Sequence, residues 1–130
     1  MADSLGRKRS QYGHSFFNTE ASERDFQVIF CDSVDGGTEV VLRDRTRVDC
    51  LTTTHAIEVD FAKKWAEAIG QALHYALMTN RTPGVALIVQ TPRDLRHWNR
   101  LNAIARNNKP RIKTWCIGNA CPDVNKSQNH

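Results

Sequence analysis

Nothing in this chain approaches the roughly 20 consecutive apolar residues that a membrane-spanning helix requires. The longest apolar run, Val85 to Val89, holds five. Arg7, Lys8 and Arg9 stand near the start with no apolar block behind them, so neither a signal peptide nor a membrane segment is expected. Internal repeats and long low-complexity tracts are missing as well, which leaves no sign of a second domain. Cysteine is scarce. Cys116 and Cys121 have four residues between them, and no second close pair of cysteines or histidines completes a tetrahedral zinc site. The four cysteines allow three pairings, among which sequence does not choose. Cys31 and Cys50 both fall in segments that read as strands. They are either buried small hydrophobes in a cytoplasmic protein, the location expected here, or a cross-strand disulfide if the protein is exported.

What remains is an ordinary globular composition. The 130 residues fit one domain, with 40% apolar and 25% charged residues. A net charge of +4 makes a polyanionic partner easier to bind. Its distribution says more, because Arg93, Arg96, Arg100, Arg106, Lys109, Arg111 and Lys113 crowd the last third while the acids are concentrated before position 68. That pattern fits either a phosphate-contacting face or a solvated helix surface.

Residues 1–25 show no sustained period and read as a flexible tail, with a short helix over Glu20 to Asp25 as the alternative. The domain then spans 26–118. Phe26 to Cys31 is β-branched and aromatic, and Asp35-Gly36-Gly37 is a turn signal ahead of a second strand, Thr38 to Leu42. Strands over Arg47 to Leu51 and Ala56 to Phe61 complete an antiparallel meander. From Ala62 to Met78 the period becomes helical, with Trp65, Ile69, Ala72, Leu73, Ala76 and Leu77 on one stripe and Asn80, Pro83 and Gly84 as the stop. Val85 to Val89 reads as a central strand covered on both faces. Pro92 and Asp94 open a helix that turns Leu95, Trp98, Leu101, Ile104 and Ala105 inward, and Lys113 to Ile117 forms the last strand. Residues 119–130 read as a polar tail. The expected fold is α/β (α+β): a mixed sheet that begins as a meander and is flanked by helices.

Carboxylates inside otherwise buried strands are the exceptions that point to chemistry, since burying one without a partner is costly. Asp49 lies in Val48-Asp49-Cys50-Leu51. On the next strand alternation sends Glu58 and Asp60 to one face and Ile57, Val59 and Phe61 to the other. Pairing of the two strands brings Asp49 and Glu58 together. Three such carboxylates repel one another unless they share a cation, and hard oxygen donors suit Mg²⁺ or Mn²⁺. The alternative is a solvated sheet surface, with Asp60 as a helix N-cap. Glu39 is a candidate outer ligand. On the helix that follows, Gln71 and Tyr75 share a face and Lys64 lies within about 20° of that line, whereas Lys63 is turned about 80° from Gln71.

The segment Arg47 to Tyr75 resembles the PD-(D/E)XK nuclease superfamily, in its RecB-type branch with a Q-x-x-x-Y helix. Asp49 corresponds to the first motif, Glu58-Val59-Asp60 to the acidic strand, and Gln71 to Tyr75 to the helix motif. The resemblance implies a restriction-endonuclease-like α/β sandwich whose sheet presents metal ligands, and hydrolysis of nucleic-acid phosphodiesters. One position departs from it: the family's lysine, two residues after the acid, is Asp60 here. Lys64 or Lys63 of the adjoining helix could supply the ammonium; otherwise the domain is a non-catalytic nucleic-acid-binding or protein-interaction module. In an active site Asp49 and Glu58 would hold Mg²⁺ or Mn²⁺ with Asp60 as a further ligand, while Gln71 and Tyr75 would orient the metal shell or the substrate. Arg47, Arg93, Arg96 and Arg100 would meet flanking phosphates, with DNA favoured over RNA as the partner.

Overall fold

The computed structural model describes residues 21–123. Its elements are helix α1 (Glu23–Ser33), strands β1 (Gly37–Val41), β2 (Arg47–Leu51) and β3 (His55–Phe61), helix α2 (Trp65–Thr79), strand β4 (Thr82–Ile88), helix α3 (Leu95–Asn107) and strand β5 (Lys113–Ile117). Short 3₁₀ turns, Ala62–Lys64 and Pro92–Asp94, lead into α2 and α3. The expected α+β arrangement of a mixed sheet flanked by helices is present. The strands lie in the order β1-β2-β3-β4-β5, antiparallel through β1, β2 and β3 and parallel from β3 to β5.

The largest correction lies at the start. Phe26 to Cys31 is helix, not strand, so the meander has three strands and no hairpin precedes it. Ser22 caps the helix: its hydroxyl accepts from the Asp25 amide and the Asp25 carboxylate accepts from the Ser22 amide, both at 3.1 Å. Phe26, Gln27, Phe30 and Cys31 then fall at helical spacing on one buried face, leaving Val28 and Ile29 exposed. The helix starts at Glu23, within the stretch expected as a tail or as a short helix over Glu20 to Asp25; residues 1–20 and 124–130 lie outside the described part. The turn Asp35-Gly36-Gly37 joins α1 to β1, and a side chain at Gly36 would collide with both sulfurs of the Cys31–Cys50 disulfide. That bond joins a helix to a strand and not two strands.

Helix α1 covers one face of the sheet, packing Phe26 and Phe30 on Ile57, Val59, Ala86 and Ile88. Helices α2 and α3 cover the other, where Ala68, Ala72, Leu101 and Ala105 meet Val85, Leu87 and Val89. Asn80 stops α2 in the left-handed conformation. Pro83 and Gly84, expected to help stop it, belong instead to β4, where a side chain at Gly84 would enter the Trp115 ring. Strand β4 is interior as expected, but the middle of the sheet is β3. Leu77 and Ile104, both placed inward by periodicity, are exposed. At the other end Ala120 and Cys121 pack against the core and Cys121 bonds to Cys116, so the expected tail is structured this far.

Candidate active site

The site forms where β2 and β3 part. Their pairing covers Cys50 with Ile57 and Leu51 with Ala56, and the same register carried one step further sets Asp49 opposite Glu58. There the ladder is replaced by side chains. The Asp49 carboxylate accepts the Val59 amide at 2.9 Å, and the Asp49 carbonyl accepts the Gln27 side-chain amide at 2.9 Å. The buried backbone groups at the gap are thereby satisfied without closing it.

Glu58 and Asp60 are each only 4% exposed. Across the gap the two carboxyl groups act on each other in opposite senses, Glu58 lowering Asp49 and Asp49 raising Glu58. Burial is the main cause that pushes Glu58 far above the carboxylate range, with the Asp49 charge next. Burial raises Asp49 as well, against the opposing effect of the Val59 amide. The Glu58 Oε1 atom is buried and has no hydrogen-bond partner among the described residues. Asp60 is raised to about 7, chiefly by burial and then by the neighbouring Glu23. It does not cap the following turn; its Oδ1 atom accepts the Phe61 amide at 3.1 Å, and the turn has no side-chain cap.

Helix α1 contributes two side chains that the sequence reading missed. Glu23 is raised by burial and then by Asp49, and its charge in turn raises Asp60. Gln27 spans from Asp49 to Glu39, donating to the Glu39 carboxylate at 2.8 Å. The signal that could have found them is the Ser22 to Asp25 capping box followed by Phe26 and Phe30 four apart. Glu39 is also neutralised by Arg24 at 3.5 Å and Arg47 at 3.9 Å, so this candidate outer ligand is held in an ion-pair network at the margin.

On α2 the Tyr75 hydroxyl donates to the Gln71 carbonyl oxygen at 3.3 Å, and the Gln71 amide donates to Glu67 at 3.3 Å. Tyr75 is buried against Val48 and Ala56. Its hydroxyl is pushed up to about 12 by burial, with the charges of Glu58 and Asp49 next. The Lys64 ammonium opposes the upward shifts of both Glu23 and Asp60; Lys63 and Lys64 are both exposed. Arg93, Arg96 and Arg100 are exposed on the turn before α3 and on α3 itself, apart from the carboxylates.

The structure thus sets Asp49 opposite Glu58, with Asp60 two residues further along β3, Glu23 raising Asp60 and the Lys64 charge opposing that shift. Among the described residues no three Asp, Glu, His or Cys side chains are gathered tightly enough to hold an ion as they stand. The open groove lined by Thr53, Thr54, Arg81 and Pro83 lies at the opposite end of β3 and β4 and shares no residue with these acids. Neither a family model, nor a curated protein, nor a solved structure matches this chain.

Proposed function

We propose that this chain is a divalent-metal-dependent nuclease with a restriction-endonuclease-like fold, acting on nucleic-acid phosphodiesters. The observation that carries the reading is Glu58. A carboxyl group in the middle strand of a sheet, buried beside a second carboxylate and with an oxygen unpartnered among the described residues, is costly unless something is bound there. The donor set is all oxygen, which fits Mg²⁺ or Mn²⁺. Asp49 and Glu58 would hold the ion once the Glu58 proton has left, with Asp60 as a further ligand.

When bound, Mg²⁺ or Mn²⁺ supplies Lewis acidity toward a phosphoryl oxygen and lowers the pKa of a coordinated water. The chain supplies the rest. Lys64 stands where an ammonium can stabilise negative charge growing on the phosphate. Gln71 and Tyr75 lock each other on the α2 face that borders Glu58 and Asp49, and so hold the wall against which the substrate is oriented. Two disulfides fit work in an oxidising compartment better than in the cytoplasm expected from sequence.

A second reading, a non-catalytic nucleic-acid-binding or protein-interaction module on the same fold, is favoured by Asp60 standing at the family's lysine position. The two separate in one assay. Single- and double-stranded DNA and RNA are incubated with the protein and Mn²⁺, and metal binding is measured by calorimetry on the same samples. Cleavage that disappears in Glu58→Gln supports the nuclease. Ion binding without cleavage of any substrate supports the module, and no specific ion binding at all removes the metal site.

A further inference from the structure

The tip of the β1–β2 hairpin, Leu42 to Arg47, carries three arginines and one aspartate. Asp44 is already engaged. Its Oδ1 atom accepts from the Thr46 amide at 3.0 Å and the Thr46 hydroxyl at 2.6 Å, and its Oδ2 atom lies 2.7 Å from His74 Nε2 on α2. Arg43 and Arg45 are exposed and make no ion pair among the described residues. The loop is fixed from within: the Leu42 amide donates to the Thr46 carbonyl at 2.8 Å and the Arg45 amide to the Leu42 carbonyl at 2.9 Å. Leu42 itself packs on the cluster of Val48, Ala56 and Tyr75. The loop backbone that carries Arg43 and Arg45 is therefore pinned to the helix that carries Gln71 and Tyr75, with both guanidinium groups unpaired among the described residues.

A second set of exposed cations stands where β3 and β4 end. Strands β3 and β4 are parallel and end together at Phe61 and Ile88, so the turns that follow bring Lys63, Lys64, Arg93 and Arg96 to the same end of the sheet as Asp60. All four are exposed; Lys63 and Lys64 continue β3 itself, Arg93 and Arg96 follow β4, and the hairpin lies on the β2 side.

We propose that these two rims grip the two backbones of a nucleic-acid duplex laid across the acids, with Arg43 and Arg45 as phosphate contacts. The proposal rests on the nuclease reading for what happens at the acids, but the binding surface stands on its own charges. Carboxylates alone repel a polyanion, so flanking cations must hold it in place. Guanidinium groups match phosphate oxygens in a bidentate fork, and a pre-ordered loop loses little freedom on binding. A single strand meets one rim; a duplex meets both. The competing explanation is that β1 is an edge strand whose arginines merely deter pairing with another chain.

The test is fluorescence anisotropy in EDTA, so that no metal and no cleavage enter, with a DNA duplex of about 20 base pairs and one of its single strands over about 50–200 mM salt. The double variant Arg43→Ala, Arg45→Ala is expected to bind the duplex about tenfold more weakly, with a log–log salt slope shallower by about two, at roughly 0.9 per phosphate released. The same variant should change single-strand binding far less, and Arg43→Lys with Arg45→Lys should keep the slope. An unchanged slope, an equal loss on the single strand, or no duplex binding by the parent overturns the proposal. A parent that binds with the expected slope yet never cleaves in Mn²⁺ sinks the nuclease reading and leaves the surface standing. A parent that cleaves while the double variant binds as it does sinks the surface alone.

Discussion

The Asp49 carboxylate takes the Val59 amide at 2.9 Å, the place a β2 carbonyl would fill had the two strands stayed paired. One side chain thus closes the hydrogen-bond account of a sheet and opens a gap in it. Asp49 stands outside the β2–β3 ladder, while Glu58 and Asp60 stay paired with Val85 and Leu87 of β4, and replacing Asp49 has two separable consequences.

Asp49→Asn keeps an oxygen for the Val59 amide and removes a buried acid. It is expected to fold with stability equal to or slightly above that of the parent in EDTA, and to bind no Mn²⁺ in a calorimetric titration. Asp49→Ala leaves the buried amide unsatisfied and should be less stable than Asp49→Asn by about 1–3 kcal/mol in urea unfolding. Equal stabilities of the two variants would show that the contact contributes nothing, and parent-like Mn²⁺ affinity in either would remove Asp49 from the metal site.

The pH dependence of metal-free stability follows from the raised carboxyl groups. A carboxyl whose folded pKa lies above its unfolded value binds more protons folded than unfolded, so stability is full below the unfolded pKa and is lost as pH rises through the folded one. Asp60, from 3.8 to about 7, contributes that loss below neutrality. Glu58, from 4.5 to about 10, extends it across the neutral and mildly basic range. The melting temperature in EDTA is therefore expected to fall between pH 7 and pH 9, a window above the acid range where Asp44 and His55, both lowered, have their effect. Glu58→Gln should flatten the fall and Mn²⁺ should offset it. A parent that becomes more stable from pH 7 to pH 9 in EDTA contradicts the assignment of a buried protonated Glu58.

Lys64 and Lys63 are adjacent in sequence, and Lys64 is the one whose charge opposes the upward shifts of Glu23 and Asp60. Lys64→Ala is expected to remove most cleavage activity while leaving metal affinity nearly intact, because the ammonium acts on developing charge and not on the cation. Lys63→Ala should be close to silent. The reverse result moves the role to Lys63, and cleavage surviving the double substitution shows that no lysine is needed.

The disulfides should differ in weight. Cys31–Cys50 closes a span of 19 residues and holds α1, with its Glu23 and Gln27, onto the strand that carries Asp49; Cys116–Cys121 closes a span of 5. In the loop-entropy account the longer loop contributes about 3 kcal/mol and the shorter about 2 kcal/mol. Replacing Cys31 and Cys50 by Ala should cost the larger amount in urea unfolding and should also weaken Mn²⁺ binding, whereas replacing Cys116 and Cys121 should leave Mn²⁺ binding unchanged. Equal ion affinities in the two variants would show that α1 does not shape the site.

Sequence alone determined those parts of the molecule whose pattern has one period and one meaning. Alternation along Ile57-Glu58-Val59-Asp60-Phe61 put two acids on one face of a strand, strand β2 was legible over Arg47–Leu51 and β5 over Lys113–Ile117, and the apolar spacing from Trp65 to Ala76 specified α2. The convergence of Asp49 and Glu58 was legible too, because strand alternation and a short turn leave little choice of register. Tertiary structure decided the rest. Val28 to Cys31 is a continuous apolar run that suits either period, and only the docking of Phe26 and Phe30 on β3 and β4 selects the helix. That docking brings Glu23 and Gln27 to acids more than 20 residues away in the chain, pairs Cys31 with Cys50, and removes the water that would otherwise let Glu58 ionise. None of these is a local property: each depends on which surfaces exclude solvent together, and that is set by the whole sheet and not by any window of the chain.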